Sequence, residues 1–86
     1  MQSFVIVYNT SSVVQRLALE RVIKSFSVYA HILGEYWFVK GNITVNQIYN
    51  KINPLVGPNG RVIVVTVTRN AAWNNITNSN YLYNNL

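Results

Sequence analysis

The stretch RVIVVTVTR, Arg61 to Arg69, constrains the fold more than any other part of the chain. Its β-branched content predicts a strand. The pleat sends Ile63, Val65 and Val67 to one side and Val62, Val64, Thr66 and Thr68 to the other. A sheet with one wet face alternates apolar and polar residues, and this segment scarcely does so. SFVIVYN, Ser3 to Asn9, has the same character, with Phe4 and Ile6 set against Val5 and Val7. A sheet built on these strands needs cover on both faces, one from its own helices and one from a partner sheet.

The intervening residues supply the helices. Ser12 with Gln15 three positions on forms a capping box, and Leu19, Val22, Ile23 and Phe26 then recur at helical spacing, which predicts a helix over residues 13–26. Glu20 and Lys24 lie one turn apart on its outer side. VYAHIL and EYWFVK read as two more strands divided by Gly34, where the backbone bends or bulges. Thr44 with Gln47 is a second capping box, opening a short helix with Ile48, Ile52 and Leu55 inward and Pro54 as its stop. GPNG, Gly57 to Gly60, is a turn. The order is β-α-β-β-α-β, an α+β ferredoxin-like plan with two helices on one face of a four-stranded antiparallel sheet. It occupies residues 1–70. A polar, aromatic tail over residues 71–86 carries Trp73, Tyr81, Tyr83 and Leu86 and is expected to dock on the sheet or on a dimer partner.

At 86 residues there is room for one core. Only 10% of residues are charged, against 50% hydrophobic, and the usual charged share is about a quarter. This predicts apolar surface covered by a second copy, with Val62, Val64, Thr66, Trp73, Tyr81 and Tyr83 as the candidate dimer interface. The net charge is +5 because the acids are Glu20 and Glu35 alone, a balance that favours a polyanionic partner. Arg16, Arg21, Lys24, Lys51, Arg61 and Arg69 are the candidate nucleic-acid contacts, spread along the chain without a Lys/Arg block. The absence of cysteine excludes disulfides and thiolate metal sites. The chain enters an apolar strand directly, without the charged opening of a signal peptide, and no apolar run approaches the roughly 20 residues of a membrane helix. A cytoplasmic protein with no membrane partner is expected.

Several motifs then combine. The VYN end of the first strand, HILGEYWFVKG across the middle strands, NQIYNKINPLV in the second helix and RNAAW after the fourth strand resemble the CRISPR-associated protein two family, above all its stand-alone SinR-like branch. The resemblance covers about residues 1–73. It implies a ferredoxin-like dimer joined through its sheets and C-terminal segments, and members that hold duplex DNA or act as metal-dependent nucleases. The family's metal-binding aspartate at the end of the first strand corresponds here to Asn9, and Glu35 aligns with a family glutamate. Asn brings one neutral carbonyl oxygen where Asp brings a full charge to a hard cation. Asn9 therefore marks a scaffold without the chemistry, or serves as a helix cap.

Other candidate sites point the same way. His31, the single histidine, reads as a hydrogen-bonded strand residue and not a base. A Ser-His-Asp set lacks its Asp, and GPNG lacks the Lys of a phosphate-binding loop. Tyr36, Trp37 and Phe38 could stack bases on an open sheet, although core and interface suit them better. No metal or cofactor is expected. The leading expectation is a non-catalytic homodimer that binds nucleic-acid backbone as a scaffold. The alternative is a protein-interaction module of a phage or mobile element that engages and inhibits a host protein. A weak metal-dependent nuclease ranks third.

Overall fold

In a computed structural model of the chain, residues 2–10, 12–26, 28–57, 59–67 and 78–85 are described. The strands β1 (Gln2–Asn9), β2 (Val28–Leu33), β3 (Tyr36–Gly41) and β4 (Arg61–Val67) are interleaved with the helices α1 (Val13–Ile23) and α2 (Val45–Ile52) in the order β-α-β-β-α-β, and α3 (Ser79–Asn85) follows. Each pairing is antiparallel and the strands run β2-β3-β1-β4 across the sheet. This is the ferredoxin-like arrangement that the sequence implies.

The second capping box forms completely: the Gln47 amide donates to Thr44 Oγ1 at 3.2 Å, and the Thr44 amide donates to Gln47 Oε1 at 2.9 Å. At α1 the Gln15 amide donates to Ser12 Oγ. The Gln15 side chain lies against Gly57, whose φ of +77° suits glycine and whose missing Cβ leaves room for that amide. The helix α1 stops at Ile23 and not at Phe26. The amides of Ser25 and Phe26 bond three residues back, to Val22 and Ile23, and so tighten the last turn. Beyond α2 the chain makes one 3-10 turn, Asn53–Leu55, with Pro54 inside it.

The register decides which residues each face buries. Ile6 pairs with Trp37 on one side and Val64 on the other, and Phe4 pairs with Val39. These residues pack with Tyr8, Leu19, Ile23, Ile48, Ile52 and Val56 into the core between sheet and helices. On the opposite face Ala30, Ile32 and Phe38 pack with Leu82 of α3, flanked by Val5, Val28 and Val67. The end of the tail thus docks on the outer face over β2 and β3. Two polar contacts hold it there: Lys40 Nζ donates to the Asn85 carbonyl and Asn78 Nδ2 to the His31 carbonyl, each at 2.9 Å. The β4 half of that face is less covered, with Ile63 55% and Val65 39% exposed.

Candidate nucleic-acid interface

The end of β1 forms one wall of an open cleft of about 390 Å³. Asn9, the last residue of β1, pairs with Arg61, the first of β4. The Tyr8 amide donates to the Glu35 carbonyl at 3.2 Å, which extends the β1–β3 pairing into the turn and brings Glu35 to the same end of the sheet. Asn9, Glu35, Tyr36 and Arg61 therefore line one cleft together with Val7 and Ile63. Asn9 does not cap α1; Ser12 fills that role with extended backbone, three residues further on.

This donor set does not suit a hard divalent cation. Such ions want several anionic oxygens, and the cleft offers one carboxylate and one amide carbonyl beside a guanidinium whose charge opposes a metal. Among the described residues no group of three His, Cys, Asp or Glu side chains comes together.

The cations lie elsewhere on the surface. Arg16, Arg21 and Lys24 are exposed on or at the end of α1, Lys51 is exposed in the last turn of α2, and Arg61 is exposed at the cleft. Lys51 Nζ sits 5.6 Å from the Phe26 ring centre and Lys24 Nζ 5.9 Å from that of Trp37, so each ammonium lies over an aromatic ring on a residue that is otherwise exposed. Neither glutamate matches this exposure. Glu20 turns toward the core, accepting from the Tyr8 hydroxyl at 3.1 Å, with Arg16 Nε at 4.0 Å. The expected outward Glu20–Lys24 arrangement gives way to this inward one because Tyr8 is buried and its hydroxyl needs an acceptor.

Tyr8 is pushed up to about 12. Burial is the main cause, and the Glu20 and Glu35 carboxylates add to it. The Trp37 indole N–H acts in the opposite direction, lying near the Tyr8 oxygen without making a well-formed hydrogen bond.

The other candidate residues are placed as follows. Val64 is buried under the helices and Val62 packs partly against the same core, so β4 turns Ile63, Val65 and Val67 outward, and of these Ile63 and Val65 are exposed. Thr66 is exposed. Arg69 and Trp73 lie outside the described residues, as do the side chains of Tyr81 and Tyr83. His31 Nε2 is 2.7 Å from the Gly34 carbonyl oxygen, in keeping with a structural histidine. Trp37 and Phe38 are buried and Tyr36 is partly exposed. An exposed stripe on α1, formed by Val13, Val14 and Leu17, has no counterpart among the sequence-derived sites. No helix among the described residues is long and apolar enough to cross a membrane. No protein-family model, curated protein or solved structure matches the chain.

Proposed function

We propose that the protein binds nucleic-acid backbone as a non-catalytic homodimeric scaffold, in line with the family that its motifs resemble. One observation carries the reading: Arg16, Arg21, Lys24, Lys51 and Arg61 are all exposed, while Glu20 is drawn inward by Tyr8 and Glu35 is only partly exposed. Exposed cations therefore outnumber exposed carboxylates among the described residues, which favours phosphate wherever the cations face solvent. Scattered lysines and arginines neutralise phosphates without reading base edges, so affinity should depend little on sequence. Asn9 and Arg61 in the cleft argue against metal-assisted cleavage, which needs anionic ligands. The exposed Ile63 and Val65 supply apolar surface for a second copy.

The test is fluorescence anisotropy on labelled duplex DNA at low salt with the Arg16→Glu, Lys24→Glu double variant. The expected result is a loss of affinity of at least tenfold, since two contacts are lost and two repulsions gained. Unchanged binding would remove α1 from the interface.

The stripe of Val13, Val14 and Leu17, exposed at 62%, 76% and 51%, favours a second reading, a module that engages and inhibits a host protein. A pull-down from host lysate that recovers no stoichiometric partner would count against it.

A further inference from the structure

On the helix side of the sheet, aromatic side chains gather near the β2 edge. Tyr29 and His31 stand two apart in β2 and so share a face, and His31 pairs directly with Trp37 of β3. The His31 and Trp37 ring centres are 5.0 Å apart and inclined by 50°; those of Tyr29 and Trp37 are 6.5 Å apart and inclined by 46°. Trp37 is only 7% exposed and backs the group, whereas Tyr29 is 39% exposed. Lys24 stands over Trp37 from the end of α1. With Ala30 and Asn78 these side chains line an open cleft of about 270 Å³.

The cleft is built and not loosely assembled. The bond between His31 and the Gly34 carbonyl holds the imidazole, and Asn78 ties α3 to the same strand through the His31 carbonyl. An imidazole fixed in this way loses little conformational freedom when a planar ligand arrives. Aromatic clusters take either planar heterocycles or organic cations. Lys24 decides between them, because its ammonium already occupies the Trp37 side and would repel a second cation while attracting an anion.

We propose that this cleft stacks a base of single-stranded nucleic acid against Tyr29 and His31, with Lys24 neutralising a neighbouring phosphate. The inference rests on the nucleic-acid reading above and adds the strand state of the ligand. A base inside a duplex has its faces covered by its neighbours, so only an unstacked base can lie on these rings. The backbone contacts of α1 serve duplex and single strand alike, and the aromatic cleft adds a preference for the single strand.

Anisotropy with three labelled ligands tests this: oligothymidylate, an abasic strand with the same number of phosphates, and a duplex. The expected result is that the full-length protein binds oligothymidylate about tenfold or more tightly than the abasic strand, the scale of a stacked base. Tyr29→Ala should erase that difference while leaving the abasic and duplex affinities unchanged, and Tyr29→Phe, which keeps the ring, should preserve it. Tyr29 is partly exposed, and circular dichroism melting checks that each variant is folded. Equal binding of oligothymidylate and abasic strand, or a preference that survives Tyr29→Ala, overturns the stacking site and leaves the backbone reading standing. Failure of the unsubstituted protein to bind any of the three ligands overturns both.

Discussion

Tyr8 shows how one residue links core and surface. Its ring belongs to the core under the helices, and its hydroxyl draws Glu20 away from solvent. The phenol is held above its ordinary value near 10, at about 12, chiefly by burial. The folded value exceeds the unfolded one, so the stability contributed by the neutral phenol is complete below about pH 10 and is lost as pH rises from about 10 to 12. The melting temperature of the unsubstituted protein should fall more steeply across that window than that of Tyr8→Phe. At neutral pH the variant should be less stable by about 1 kcal/mol, the scale of one lost hydrogen bond. Melting curves of both proteins from pH 8 to 12 check both effects, and parallel slopes would contradict the assignment. Little of this was legible in the sequence. Tyr8 and Glu20 are twelve positions apart and meet only because α1 packs over β1. Likewise Asn9, Glu35 and Arg61 reach one cleft through strand pairing, which residue types alone do not reveal.

At the scale of elements, local chemistry made the helices and strands readable. Ser12 and Thr44 announce the helix starts, Gly34 and Gly57 mark reversals with positive φ, and β-branched runs mark the strands. The inward side of β4 was not readable for the same reason that its strand character was: both sides are apolar, so no polar residue labels the outer one. Its pairing with β1 settles the matter, placing Val64 beside Ile6 under the helices and leaving Ile63 and Val65 outside. The proposed dimer contact therefore belongs to Ile63 and Val65. Substituting both with Lys should convert a dimer to monomer in sedimentation equilibrium without unfolding the chain, because both side chains are already exposed. A variant that remains dimeric would move the contact to another surface. The aromatic cleft was half legible: Tyr29 and His31 alternate visibly, but their meeting with Trp37 depends on the β2–β3 register, which shifts between His31 and Leu33.

For the whole molecule, the central feature is the excess of exposed cations over exposed carboxylates among the described residues. A net charge of +5 on 86 residues is a statement about composition. The fold turns it into a surface property by exposing the arginines and lysines of α1, α2 and the start of β4 while Glu20 faces inward. The most direct measurement is the affinity of the full-length protein for labelled duplex DNA as a function of salt concentration, with and without Mg²⁺, and with the DNA recovered afterwards. If the exposed cations neutralise phosphates, the logarithm of the association constant should fall linearly with the logarithm of salt, with a slope between roughly −3 and −5. Mg²⁺ should act only as added salt, and the DNA should be recovered intact. Absence of binding at low salt, or cleavage that requires Mg²⁺, would contradict the account.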